Sequence, residues 1–154
     1  MSPAPLAARL LATWFGAGAS PVAPGTVGAL ATLPLHFALR AWGPVPHAVV
    51  TVGLTVAGVW AAGRTADASE EKDPSSVVID EVAGTLIAMG LARSAGLAGE
   101  AAAFLAFRVF DIAKPGIIDR AQYLRPTGVG IMADDVLAGV AAGVLVLVAN
   151  FVFG

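Results

Sequence analysis

The chain has 154 residues, room for one domain, and 57% of them are hydrophobic while only 13% are charged. An ordinary soluble domain carries about 25% charged residues, and a chain this short exposes too much surface to hide such an apolar excess; lipid is the solvent that accommodates it. The net charge of −2 decides little, and the absence of cysteine excludes disulfides, thiolate metal sites and cysteine-nucleophile chemistry.

The pattern predicts an all-α, integral-membrane bundle of about five hydrophobic helices behind an N-terminal interfacial helix, as a single domain over residues 1–154. Met1 to Pro5 has no basic stretch ahead of an apolar run, so no cleavable signal peptide is expected. Leu6 to Phe15 is short and amphipathic, and Arg9, Trp14 and Phe15 suit a membrane interface. A glycine- and proline-rich loop from Gly16 to Gly28 follows, with helix expected from Ala29 to about Trp42. Ala48 to Gly63 carries no charge and reads as a membrane helix. Arg64 to Ser76 is polar and contains Asp67, Glu70, Glu71, Lys72 and Asp73. Val77 to Ala92 is apolar apart from Asp80 and Glu81, and Leu97 to Phe110 is a further helix whose only early charge is Glu100. Arg108 to Asp135 is the longest polar region. Val136 to Phe153 is then uncharged, long enough to cross about 27 Å at the helical rise of 1.5 Å per residue.

Threading five segments alternately tests the arrangement. With the first loop inside, the inner face receives Arg9, Arg64, Lys72, Arg108, Lys114, Arg120 and Arg125, and the outer face only Arg40 and Arg93. That asymmetry follows the positive-inside rule. Every acidic residue except Glu100 falls on the inner face as well, which marks it as the working, cytoplasmic face.

Four polar stretches converge there. In Pro21–Gly28, Gly25, Thr26 and Gly28 form a turn into a helix whose N-terminus, with Thr26 as its cap, suits an anion such as phosphate; an ordinary connector fits too. Asp80 and Glu81 open a helix among Val77, Val78, Ile79 and Val82, where free solvation is poor and a metal or a buried ion pair is favoured. Arg108, Asp111 and Lys114 are spaced by three and share one helical face ahead of Pro115. Asp134 and Asp135 form a second acidic pair at the start of another membrane helix. Two acidic pairs plus Asp111 offer oxygen ligands for one or two hard divalent cations, and the lack of useful His or Cys favours Mg²⁺ over zinc. His36 and His47 lie toward the other face and read as packing or interface residues. A carboxylate metal site beside Arg108 and Lys114 suits phosphoryl chemistry, and its place at a membrane surface makes a phospholipid head group the expected substrate. Nothing in this pattern calls for a nucleic-acid partner.

With these stretches assembled, the chain closely resembles the phosphatidylglycerophosphatase A family of small bacterial membrane lipid phosphatases. The resemblance rests on Leu11–Gly16, Ser20–Gly28, Ile79–Gly84, Phe107–Pro115 and Gly130–Asp135, in that order. It implies Mg²⁺-dependent hydrolysis of phosphatidylglycerol phosphate to phosphatidylglycerol and inorganic phosphate, in phospholipid biosynthesis at the bacterial inner membrane. On this reading Asp80, Glu81, Asp134 and Asp135 supply most of the metal ligands. Asp111 is a further ligand or general base, and Arg108 and Lys114 stabilise the transferring phosphoryl group. Two departures from the family pattern fall in the loop over the site: Gly116-Ile117-Ile118 replaces a second proline, and the glycine-rich stretch before Ile131 appears as Arg125–Gly130. Two other readings compete. A cation or proton path would also use intramembrane carboxylates, although little polar continues toward the outer face beyond His36 and Glu100. A lipid-linked phosphotransferase of the CDP-alcohol type would need a spaced Asp-Gly…Ala-Arg…Gly…Asp signature that is missing.

Overall fold

A computed structural model describes residues 3–69, 71 and 73–154. Met1 and Ser2, and Glu70 and Lys72, which were assigned above to the acidic face, lie outside the described residues. All regular structure within them is helical: α1 (Leu6–Ala12), α2 (Pro24–Ala31), α3 (Leu33–Trp42), α4 (Pro44–Ser69), α5 (Ile79–Leu91), α6 (Gly96–Ala113), α7 (Ile117–Ala121) and α8 (Thr127–Phe153), with 3₁₀ turns at Ala17–Ala19 and Ala92–Ala95.

Local chemistry sets the breaks. Gly43, at φ 110°, ends α3 ahead of Pro44, a residue tolerated only in the first turn of a helix. Lys114, at φ 44°, closes α6 directly before Pro115. Gly96, at φ 70°, follows the second 3₁₀ turn and lets the chain double back. Three stretches are long and apolar enough to cross a membrane: 44–69, 79–113 and 127–153. Because the second doubles back, α5 and α6 run side by side and Gly84 of α5 lies against Phe107 of α6. The five hydrophobic segments of the sequence thus correspond to α2–α3, α4, α5, α6 and α8.

The centre of the bundle is the pair α5 and α8. They run parallel, with Gly84 against Gly139 and Ala88 and Leu91 against Gly143. Helix α4 crosses α8 in the opposite sense, Gly58 meeting Met132 and Gly63 meeting Gly128. Small residues at every crossing let backbones approach closely, the usual solution where lipid removes the hydrophobic drive between helices. The inward faces bury Ala61, Ala62, Val82, Ala83, Leu86, Phe107, Met132 and Ala138. The outward faces of α4 and α8 stay apolar, with Val45, Val49, Val52, Val56, Val144, Leu145 and Val148 exposed, as expected of surfaces that meet acyl chains.

Three boundaries differ from expectation. Helix α2 begins at Pro24 rather than Ala29, because Pro24 occupies its first turn and Ala23, in the left-handed region, is the cap. Thr26 is therefore inside the first turn and is not the cap. Helix α4 extends past both ends of its uncharged stretch. Helix α8 begins at Thr127, so Asp134-Asp135 sits two turns inside it and not at its start. Its early start is possible because Gly128 and Gly130 pass directly against the carbonyls of Val59, Gln122 and Leu124.

The crossing makes a testable distinction between two helical glycines. A methyl group at Gly139 would stand 2.5 Å from the Gly84 carbonyl, whereas one at Gly53 meets nothing within 4 Å. Gly139→Ala is expected to lower the thermal midpoint in detergent, at a cost of about 1–3 kcal/mol from overpacking. Gly53→Ala should leave it unchanged or raise it. Equal midpoints for the two variants contradict the tight crossing.

Candidate active site

The glycine crossing also places the carboxylates. Asp80 lies four residues before Gly84 and Asp135 four before Gly139, so each is one helical turn from the point where the two backbones touch. Oxygens of Asp80, Glu81 and Asp135 consequently fall within 4.8 Å of one another. Asp80 is 9% exposed and Asp135 only 2%. Asp80 Oδ1, Glu81 Oε2, Asp134 Oδ1 and Asp135 Oδ2 are all buried without a hydrogen-bond partner. Grouped, desolvated carboxylates with open oxygens are strongly unfavourable unless a cation joins them. The donors are oxygen only, which suits a hard divalent ion such as Mg²⁺.

Around this trio sit the cationic partners. Arg108, on α6, donates from Nη1 to Asp111 Oδ2 at 2.5 Å and from Nη2 to Thr26 Oγ1 at 3.2 Å. It thereby ties α6 to the first turn of α2. Lys114 leaves the helical face that its spacing was expected to share with Arg108 and Asp111. Its left-handed backbone carries it off the helix, and its ammonium pairs with Asp134 Oδ2 on α8. Burial works against that charge, yet the Asp134 hydrogen bond and the surrounding carboxylates outweigh it and hold the Lys114 pKa above its ordinary value.

The glycines of the Pro21–Gly28 stretch have specific neighbours. Any Cβ at Gly25 would overlap Glu81 Oε1, so the first turn of α2 packs directly on the Glu81 carboxylate. A Cβ at Gly28 would approach the Val78 side chain at 2.7 Å, so Gly28 serves the seating of α2 on the segment leading into α5. Of the residues singled out by sequence, the structure therefore gathers Asp80, Glu81, Asp135, Asp111, Arg108, Thr26 and Gly25 into one region. Asp134 joins through one oxygen held by Lys114 and one left open. The two stretches that depart from the family pattern lie beside it: Ile117 and Ile118 open α7, and Arg125 and Thr127 line a small cavity of about 60 Å³ with Asp73, Gln122 and Asp134.

A second polar cluster, not foreseen, occupies the opposite end of the bundle. His36 Nδ1 and His47 Nε2 are 3.1 Å apart, and His36 Nε2 lies 3.3 Å from Glu100 Oε2. Arg40 Nε donates to Glu100 Oε1 at 2.8 Å, and Arg93 Nη2 donates to the Arg40 carbonyl at 2.7 Å. A signal for it existed. His36 and Arg40 are one turn apart on α3, and the two cations threaded to that end, Arg40 and Arg93, had Glu100 as their sole acid.

The chain matches the family model described as Phosphatidylglycerophosphatase A over residues 10–150. It is 40% identical to a Bacteroides thetaiotaomicron protein provisionally named phosphatidylinositol-3-phosphatase, over 94% of each chain. It is 35% identical to phosphatidylglycerophosphatase A of Escherichia coli, covering 92% of this chain and 83% of that one. The corresponding protein of Haemophilus influenzae is 34% identical, over 93% of this chain and 88% of its own. No solved structure matches. Since the family model and these full-length relatives cover almost the entire bundle, acidic trio and cationic partners included, the chain belongs to the phosphatidylglycerophosphatase A family of phosphatases.

Proposed function

We propose that the chain, as a single membrane-embedded unit over residues 1–154, hydrolyses phosphatidylglycerol phosphate to phosphatidylglycerol and inorganic phosphate in phospholipid biosynthesis. The reaction would take place at the cytoplasmic face of the bacterial inner membrane. The observation that carries the reading is the oxygen trio of Asp80, Glu81 and Asp135, set beside Arg108 and Lys114 in a member of this family.

Asp80, Glu81 and Asp135 would hold Mg²⁺, with the open oxygen of Asp134 in reach of the same region. Such an ion supplies positive charge to phosphoryl oxygens and makes water a better nucleophile. The chain's own residues do the rest. Arg108, oriented from both sides by Asp111 and Thr26, presents its guanidinium to the phosphoryl group, and its planar fork suits phosphate oxygens. Lys114 adds a second cation whose charge Asp134 secures. Asp111 accepts a proton from the attacking water when Arg108 turns to the substrate. Gly25 and Gly28 let α2 close over Glu81 and Val78, so that a head group enters beside Thr26. The first turn of α2 packs on Glu81, and a helix N-terminus in that place is favourable for phosphate.

The relatives' names point to two head groups, a glycerol phosphate and an inositol phosphate, which share a phosphomonoester on a membrane lipid. Family membership favours the first. A cation path gains no support: between the acidic site and the His36–Glu100 cluster, α5 buries Val82, Ala83 and Leu86, with Thr85 as the one polar side chain of that stretch.

Phosphate release should be faster from phosphatidylglycerol phosphate than from phosphatidylinositol 3-phosphate or phosphatidic acid. It should vanish with EDTA, return with Mg²⁺, and be almost lost in Asp80→Asn. Undiminished turnover without divalent metal, or in the variant, removes the metal site from the chemistry. Arg108→Ala is expected to lower kcat by about 10²–10³, the usual loss for one preorganised donor, with a smaller loss for Thr26→Val; a change confined to KM contradicts a role in the transition state. Orientation is accessible because the chain has no cysteine of its own. In spheroplasts, a membrane-impermeant maleimide should label Ser94→Cys but not Ser75→Cys, and the reverse pattern places the acidic site outside.

A further inference from the structure

The end of the bundle away from the acidic site carries an excess of positive charge that the reaction does not use. Arg40 and Glu100 satisfy one another, and His36 and His47 bond to each other within the same buried group. Arg93 is left over. One of its terminal nitrogens donates to the Arg40 carbonyl, while Nη1 is buried without a partner. No carboxylate among the described residues forms an ion pair with it. At a membrane boundary an unpaired guanidinium nitrogen is costly, and an arriving anion relieves it.

Arg93 also borders a cavity of about 420 Å³ between α4, α5 and the middle of α8. His47 and Thr51 provide its other polar side chains, and Val52, Leu86, Ile87, Leu91 and Val140 are among its apolar walls. A neighbouring cavity of about 390 Å³, lined by Leu33, Phe37, Met89, Leu97 and Phe104, reaches the same cluster from the other side but meets only Glu100, whose charge is already matched. The two grooves are similar in size and both mainly apolar. Only one is bordered by a cation, and that cation, Arg93, has a nitrogen without a partner.

We propose that the groove bounded by Arg93, His47 and Thr51 binds an anionic phospholipid, its phosphodiester against Arg93 and one acyl chain along Val52, Leu86 and Val140. Arg93 follows Asp80 by 13 positions, about 20 Å at helical rise, so this lipid sits in the leaflet opposite the one that supplies the substrate. It is a bound companion of the bundle, clamping α4 to α5 and α8, and takes no part in hydrolysis. The proposal stands whether or not the substrate assigned above is correct.

The test is native mass spectrometry of the detergent-solubilised full chain titrated with dioleoyl phosphatidylglycerol, dioleoyl phosphatidylcholine or dioleoylglycerol. Four proteins are compared: wild type, Arg93→Gln, Ala48→Phe (which fills the groove from an exposed helix position) and Asp80→Asn. Wild type and Asp80→Asn should retain one phosphatidylglycerol that Arg93→Gln and Ala48→Phe bind about tenfold more weakly, the loss expected for a charge-assisted hydrogen bond. Phosphatidylcholine and dioleoylglycerol should not replace it. Unchanged stoichiometry and affinity in both groove variants overturn the proposal. Equal retention of dioleoylglycerol or phosphatidylcholine also overturns it, because the groove then selects no anionic head group. Loss in Asp80→Asn alone assigns the bound lipid to the reaction site and likewise overturns it.

Discussion

The contact of the α5 and α8 backbones at Gly84 and Gly139 is the constraint on which the rest of the structure depends. Two parallel helices can meet this closely only where neither has a side chain, and both glycines stand one turn beyond a buried aspartate. The packing requirement of a membrane bundle and the grouping of three carboxylates that could hold a metal are thus met by the same geometry. Phe107 fills the space over Gly84, so α6 is set at the distance from which Arg108 and Asp111 reach the same region.

Electrostatics then divides the molecule into two ends of different character. At one, Asp80, Glu81, Asp111, Asp134 and Asp135 gather beside Arg108 and Lys114, and open oxygens remain that a further cation would satisfy. At the other, one carboxylate, Glu100, faces Arg40 and Arg93, and an open guanidinium nitrogen remains. Between them α5 buries Val82, Ala83 and Leu86, with Thr85 its one polar side chain there. The unpartnered groups at the two ends are thus of opposite sign, carboxylate oxygens at one and a guanidinium nitrogen at the other. Burial sharpens both demands, since unmatched charge at low dielectric is expensive.

Much of the site was legible in the residues themselves. Acidic pairs are conspicuous in a chain so poor in charge, and Asp80-Glu81, Asp134-Asp135 and the Arg108–Lys114 stretch stood out on composition alone. Their shared face followed from threading, because alternate crossing of a membrane leaves few arrangements. Less legible was the partition of labour among them. Spacing by three puts Arg108, Asp111 and Lys114 on one helical face, yet the left-handed backbone of Lys114 before Pro115 sends its side chain to α8. Periodicity does not report φ, so this exchange of partners was hidden.

By itself the sequence determined the class of the protein: an apolar, charge-poor helical chain for lipid, with acidic pairs and cations toward one end and family motifs in order along its length. Tertiary structure decided which carboxylates meet. It chose Asp80, Glu81 and Asp135 as the close trio and gave Asp134 to Lys114, moved Thr26 from a cap to a partner of Arg108, and joined His36, His47, Glu100 and Arg40 into a cluster across three helices. The physical reason is that composition and local propensity act within one segment, whereas glycine contacts between helices set register. Only register states which of two adjacent side chains faces the centre of the bundle.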